Sequence, residues 1–95
     1  MFAVTDDARS LINHMLDKVD AEPNEVVRLV PSKEGLRPRL SWALPSDKTY
    51  VYQERVVLAV APPLHQRLDE ENKKLDAVAT EAGSQLEIKN LNEGD

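Results

Sequence analysis

His14 and His65 are the side chains whose type allows acid–base or metal chemistry near neutral pH. Imidazole titrates in this range without a perturbing environment, and it is a common metal ligand. The positions of the two residues match no zinc motif such as HExxH. His14 falls away from the apolar stripe of its predicted helix, and His65 lies at the flank of a second helix. We therefore interpret both as surface histidines.

An acidic run, Asp69, Glu70 and Glu71, offers carboxylates that could attract a divalent cation. No glycine-bearing calcium loop surrounds the run, so the sequence favours a solvated helix face. Asp69 follows His65 by four residues, and such a pair on a helix surface contributes only about 0.2–0.5 kcal/mol. A domain that binds a metal or a small ligand through His14, His65 and carboxylates remains the alternative hypothesis.

Cysteine chemistry is excluded for these 95 residues because they contain no cysteine. There is no disulfide, no thiolate metal site, no cysteine nucleophile and no cysteine-held iron–sulfur cluster. No serine stands in a GxSxG turn, and Gly35, Gly83 and Gly94 are isolated, so no phosphate-binding glycine loop exists. No nucleophile, base and orienting group can be named together, so the sequence does not predict an enzyme. It also predicts no catalytic, cofactor-binding or metal-binding residues.

Basic and aromatic side chains gather around the first two predicted strands: Arg28, Lys33, Arg37 and Arg39, beside Trp42, Tyr50 and Tyr52. Interleaved bases and aromatics are typical of surfaces that bind anions or nucleic acid. The chain as a whole has 17 acidic and 12 basic residues and a net charge of −5. This balance disfavours nucleic acids and anionic membrane surfaces. The basic group therefore indicates an acidic protein partner.

Two helices are predicted to position these residues. Apolar residues at 8, 11, 12, 15, 16 and 19 follow the helical three-then-four spacing, which predicts an amphipathic helix over 5–19. Thr5 is its expected N-cap, and acidic residues in the first turn favour the helix dipole. Pro62 and Pro63 stop a strand and open a second, short helix over 63–72, with Leu64 and Leu68 facing inward.

Short strands are predicted over 25–30, 39–44, 49–53, 56–61 and 85–89, with Pro31 ending the first. Trp42 alternates with Leu40 and Leu44, so its side chain is expected in the core. Glu54 and Arg55 are expected to form a two-residue hairpin link, although neither favours the positive φ that tight hairpins need.

The segment 75–80 has two interpretations. Alanines at 77, 79 and 82 favour a helix, whereas Gly83 and Ser84 favour a closing hairpin. We favour the strand and leave the helix open. Residues 56–60 are apolar on both faces, which suits either a central strand or the interface of a homodimer.

One domain over 1–95 is expected, with a polar tail at 90–95. The longest apolar run, 56–61, is far too short to span a membrane. Asp6 and Asp7 stand where a signal peptide would carry positive charge. The sequence therefore predicts a cytoplasmic protein without a membrane partner.

Five strings of residues carry a resemblance to a known family. Val4-Thr5-Asp6-Asp7-Ala8-Arg9 precedes the first helix, and Val27-Arg28-Leu29-Val30 precedes a turn through Gly35. Val56-Val57-Leu58-Ala59-Val60 precedes the second helix, and Leu75-Asp76-Ala77-Val78 is followed by Leu86-Glu87-Ile88. With these strings in this order, the chain resembles the HesB-like family, the A-type carriers of iron–sulfur cluster assembly. The resemblance implies an α+β fold with short strands in two small mixed sheets, an N-terminal amphipathic helix and one short second helix.

The chain departs from this family at the ligands. The family holds its metal or cluster with one cysteine in the loop after the first strand and a Cys-x-Cys pair near the carboxyl terminus. Here Lys33 or Glu34 stands at the first place, and residues 92–95 read Asn-Glu-Gly-Asp. The resemblance therefore implies the fold without the activity. We expect a non-catalytic, cysteine-free relative that acts as a protein-interaction or accessory module and holds no cluster and no cofactor.

Overall fold

A computed structural model describes residues 1–33 and 35–91, which form two helices and seven strands. In chain order the elements are β1 Ala3–Val4, α1 Asp6–Lys18, β2 Glu25–Ser32, β3 Gly35–Trp42, β4 Lys48–Tyr52, β5 Arg55–Val60, α2 Pro62–Glu70, β6 Lys73–Thr80 and β7 Gly83–Asn90. Two helices and two small mixed sheets confirm the predicted α+β fold. Within the described part of the chain, neither helix has the length and apolar character that crossing a membrane requires.

Helix α1 forms where the apolar spacing predicted it. The Thr5 hydroxyl oxygen accepts the Ala8 amide at 3.1 Å, which satisfies one free donor of the first turn. Ala8, Ile12 and Leu16 form the buried stripe. Each fully buried Leu or Ile contributes about 1.5–3 kcal/mol, so packing rather than helix propensity holds α1. Val19 is the C-cap and is 60% exposed.

The larger sheet has the strand order β3-β2-β5-β4, and the smaller has β1-β6-β7. Antiparallel hairpins join β2 to β3, β4 to β5, and β6 to β7, whereas β2 with β5 and β1 with β6 are parallel pairs. Strand β5 is therefore central, between β2 and β4. This position explains the apolar character of both its faces, and Val57 to Val60 are all fully buried.

The core lies between α1, α2 and the two sheets. One face of the larger sheet, which we call the inner face, packs on α1 through Val27, Leu29 and Leu58. Leu64 and Leu68 of α2 complete the core as predicted. The buried cluster comprises Phe2, Val4, Ala8, Ile12, Leu16, Val27, Leu29, Val57, Leu58, Val60, Leu64, Leu68 and Leu75.

The first hairpin is longer than predicted. Strand β2 continues through Pro31, which pairs with Leu36, and β3 begins at Gly35 rather than at Arg39. Pro31 does not end β2 because β5 pairs with β2 only at Val27 and Arg28, so one edge of β2 is already free at Pro31. Gly35 has a φ of +123°, which other residues rarely adopt.

The second hairpin turns one residue earlier than predicted. Tyr52 pairs with Arg55, so Gln53 and Glu54 form the two-residue link. Their φ values are +49° and +67°, the left-handed pair that matches the twist of two-residue hairpins. The prediction of Glu54 and Arg55 was wrong because residue preferences gave no signal for the left-handed positions.

The strand interpretation of 75–80 is confirmed, since these residues belong to β6. Helix α2 covers 62–70 rather than 63–72, and Asn72 adopts a φ of +52° before β6 begins. The two-residue strand β1 was not predicted. Of the expected polar tail 90–95, Asn90 is the last residue of β7, Leu91 follows in a turn, and 92–95 lie outside the described residues.

Candidate functional site

The two histidines lie in different surroundings. His14 is exposed on α1, beside an open groove between that helix and the smaller sheet. His65 is half-buried, so its interpretation as a surface residue needs correction. Its Nε2 lies 2.9 Å from the Tyr50 hydroxyl, and the Phe2 ring packs edge-on at 5.8 Å. Phe2 reaches His65 from beside β1, the strand that the sequence did not predict.

Tyr50 holds His65 in place through packing and a hydrogen bond. Burial raises the pKa of Tyr50, so the phenol stays neutral and can donate to the His65 ring. The Arg9 guanidinium lies 5.3 Å from the centre of the Tyr50 ring. These contacts hold the His65 ring against Phe2 and Tyr50.

The acidic run forms local contacts at the end of α2. Asp69 accepts the Phe2 amide at 3.0 Å, and this hydrogen bond, with the charge of the amino terminus, holds the pKa of Asp69 below its usual 3.8. Glu70 accepts from Gln66 at 3.1 Å, and Glu71 accepts from Arg67 at 3.3 Å. Among residues 1–33 and 35–91, no three His or carboxylate side chains converge as metal ligands. The alternative hypothesis of a His–carboxylate site thus gains no support from the geometry.

A bidentate ion pair that the sequence did not predict joins Arg28 of β2 to Asp47. Both carboxylate oxygens lie 3.0 Å from guanidinium nitrogens, and the Asp47 side chain is completely buried. The Leu44 amide adds a third hydrogen bond at 2.9 Å. The hydrogen bonds from Arg28 are the main reason that the pKa of Asp47 lies below its usual 3.8. The pair fixes the loop between β3 and β4 over the sheet.

This loop lies on the face of the larger sheet that α1 does not cover, which we call the outer face. The ladder aligns Arg39, Arg28, Ala59 and Thr49 in one row across the four strands. Side chains of one such row share a face, and the inner-face residues alternate with them. Ala59 is fully buried although it is on this face.

Two cations lie exposed on the outer face. Arg37 and Arg39 are exposed on β3, one of the two edge strands of the sheet. Among residues 1–33 and 35–91, neither forms an ion pair, and Asp47 of the β3–β4 loop is paired with Arg28. Of the basic group expected from the sequence, Arg28 is thus neutralised by Asp47. Arg37 and Arg39 have no ion pair among the described residues and can bind a carboxylate of another molecule.

Trp42 does not lie in the core, contrary to the prediction, and is 56% exposed. Alternation along a strand predicts two faces but not which of them is covered. Strand β3 lies at an edge of the sheet, and α1 leaves most of it uncovered. Leu40 and Leu44 are exposed for the same reason. Trp42 forms one wall of an open cleft of about 820 Å³, whose lining includes Val26, Thr49 and Val56. Val26 and Thr49 belong to the outer face, so this cleft opens on the same side of the sheet as Arg37 and Arg39.

The arrangement of helices and sheets is that of the A-type iron–sulfur carriers, as the comparison with solved structures shows. SufA of Escherichia coli, involved in biosynthesis of iron-sulfur clusters, matches with a TM-score of 0.66 at 17% identity, over 94% of this chain and 84% of SufA. IscA with the 2Fe-2S cluster matches at 0.59 and 17% identity, over 97% and 86%. A protein from Aquifex aeolicus, solved by solution NMR, matches at 0.60 and 21% identity, over 94% and 90%.

No protein-family model matches the chain, and neither does any curated protein. The expected HesB-like resemblance is thus confirmed at the level of the fold. The donor set does not fit an iron–sulfur cluster, since the 95 residues contain no cysteine. Lys33 lies exposed in the turn after β2, where a cysteine was expected in the family. The other expected positions, Glu34 and 92–95, lie outside the described residues.

Proposed function

We propose that this chain is a non-catalytic relative of the A-type carriers, serving as a protein-interaction or accessory module that holds no iron–sulfur cluster. One observation carries the proposal: a carrier fold is built here from residues that include no cysteine. Because thiolates are the protein ligands that iron–sulfur clusters use, the fold has lost the chemistry by which its neighbour IscA is seen with a 2Fe-2S cluster.

The remaining side chains cannot replace the thiolates. A lysine ammonium such as that of Lys33 has no lone pair to offer iron, and carboxylates prefer hard cations. The nitrogen donors do not compensate, since the Nε2 atom of His65 on α2 lies at hydrogen-bond distance from the Tyr50 hydroxyl and His14 lies beside a separate groove at α1. The proposal therefore does not depend on the position of any single residue in the turn after β2.

The exposed side chains of the larger sheet support a role in protein binding. Trp42 of β3, Leu44 of the β3–β4 loop and Val51 of β4 are 56%, 54% and 44% exposed, and Arg37 and Arg39 of β3 are exposed as well. Exposed Trp and Arg side chains are enriched at protein interfaces. The proposal keeps the cytoplasmic location expected from the sequence, and a second copy of the chain remains an alternative partner.

Anaerobic reconstitution with ferrous iron and sulfide tests the absence of a cluster. Purified protein and Escherichia coli SufA are treated in parallel, desalted and analysed for visible absorption, iron and acid-labile sulfide. We expect the SufA control to acquire visible absorption bands and this protein to remain colourless with iron well below stoichiometric amounts. Stoichiometric iron and sulfide retained by this protein would contradict the proposal.

A further inference from the structure

We propose that the outer face at strand β3 binds an acidic segment of a partner protein, with Arg37 and Arg39 as the groups that recognise its carboxylates. This inference rests on the proposed role in protein interaction and identifies its surface and the chemistry of its partner. The surface consists of these two arginines and, on the same face, the cleft lined by Val26 and Thr49, which Trp42 borders.

Charge is the first argument for an acidic partner. The chain has a net charge of −5, yet Arg37 and Arg39 stand two residues apart on one exposed face of β3. Residues at this spacing along a strand point to the same side. A guanidinium group presents a planar set of donors that matches a carboxylate in a bidentate pair. Two such groups on one side of an edge strand can therefore bind two carboxylates of an extended acidic segment.

The cross-strand ladder strengthens this argument. Arg39 lies directly opposite Arg28, and like charges in this position destabilise a sheet. Asp47 neutralises Arg28 but not Arg39, since both its carboxylate oxygens are hydrogen-bonded to Arg28. Arg39 is left beside a second guanidinium group with no carboxylate of its own among the described residues. A carboxylate from a partner would supply the missing counter-charge.

Apolar contacts flank the two arginines. Leu40 and Trp42 alternate with the arginines along β3 and so begin on its opposite side, but Trp42, 56% exposed, borders the cleft of about 820 Å³ that Val26 and Thr49 line on the arginine face. Trp and Arg are the residues that most often dominate binding energy at interfaces. The surface is therefore suited to a segment in which acidic residues alternate with large apolar ones.

A second copy of the chain fits this surface less well. It would bring its own uncompensated Arg37 and Arg39 against those already present. Pro38 lies in the middle of β3 and removes one backbone donor, which hinders pairing between two edge strands. Nucleic acid would satisfy the arginines, but the net negative charge of the whole chain opposes it.

Fluorescence anisotropy with a labelled peptide of alternating glutamate and leucine tests the inference. A peptide of alternating lysine and leucine and a labelled single-stranded DNA are the comparison probes. The variants are Arg39→Glu, the double variant Arg37→Glu/Arg39→Glu, and Lys48→Glu as the matched control. Lys48 is an exposed cation on β4, the opposite edge of the same sheet, so its reversal changes net charge as much as Arg39→Glu does. Circular dichroism verifies that each variant is folded, and Arg39→Gln replaces any glutamate variant that is not.

We expect the acidic peptide to bind the natural protein and the Lys48→Glu variant alike. Binding should weaken about fivefold in Arg39→Glu and about tenfold or more in the double variant, and should fall with added salt. No binding of the acidic peptide, equal binding by the double variant, or preferred binding of the DNA would overturn the inference. Each of these outcomes leaves the proposed function intact, because cluster binding is measured separately by reconstitution.

Discussion

At the scale of single residues, Asp47 is the side chain whose loss should cost the fold most among the polar groups described above. Its buried carboxylate holds Arg28 in two hydrogen bonds of 3.0 Å and accepts the Leu44 amide. Asp47→Asn removes the negative charge and leaves a partly buried guanidinium without a counter-charge. We expect it to lower the free energy of unfolding by about 2–4 kcal/mol, measured by urea denaturation at neutral pH.

Asp17→Asn provides the matched control for this substitution. Asp17 also pairs with an arginine, Arg55, at 2.8 Å, but its side chain is 65% exposed. Solvent screens such a pair, so its loss should cost no more than about 1 kcal/mol. If the two variants lose the same stability, burial does not decide the contribution of the Arg28–Asp47 pair.

The same residues show what the sequence could reveal at this scale. It identified Arg28, Arg37 and Arg39 as a basic group, because residue type alone decides charge. It could not show that Asp47, 19 residues from Arg28, occupies one of them, since only the folded sheet brings the two together. The sequence likewise could not show that β3 lies at an edge of the sheet, and Trp42 was therefore expected in the core. Which cations are free, and hence the candidate site, was accessible only from the structure.

At the scale of elements, the β4–β5 hairpin contains backbone strain that substitution should relieve. Gln53 and Glu54 both adopt positive φ, +49° and +67°. Asn-Gly is the pair that such two-residue turns prefer, because these residues adopt the left-handed region most readily. We expect Gln53→Asn/Glu54→Gly to raise the free energy of unfolding by about 1 kcal/mol in urea denaturation.

Glu81→Gly is the control for the hairpin variant. Glu81 is an exposed glutamate in the β6–β7 turn, where the positive φ belongs to Gly83. Glycine at a residue with ordinary φ only increases the freedom of the unfolded chain, so this variant should lose about 0.4–1 kcal/mol. A hairpin variant that is no more stable than the natural protein would show that the turn is not strained.

Elements were predictable where a periodic pattern was long enough. The stripe through Ala8, Ile12 and Leu16 predicted α1, and apolar runs predicted the central strands. Strand β1 has two residues, too few for any period, although it pairs with β6. Hairpin positions failed by one residue because Gln53 and Glu54 are not typical turn residues. The family resemblance implied two small mixed sheets, but the order of the strands within each sheet was not predicted.

At the scale of the whole molecule, three aspartates couple stability to pH. Hydrogen bonds lower the pKa of Asp47, Asp69 and Asp76 below the usual 3.8, the first through Arg28, the second chiefly through the Phe2 amide and the third chiefly through the Thr5 hydroxyl. Together they tie the β3–β4 loop to the larger sheet, α2 to the amino-terminal segment, and the smaller sheet to the N-cap of α1. Acid should therefore weaken these three contacts between elements of the fold at once.

The sign of this coupling follows from the direction of the shifts. A carboxyl group whose pKa is lower in the folded state binds protons more readily when unfolded, so its contribution is complete above about 3.8 and is lost as the pH falls through the folded pKa. We expect the free energy of unfolding, measured in urea at a series of pH values, to drop as the pH falls below about 4. Asp47→Asn should be less stable near neutrality but should lose less on acidification than the natural protein. An equal loss in the variant would show that Asp47 is not one of the groups through which acid acts.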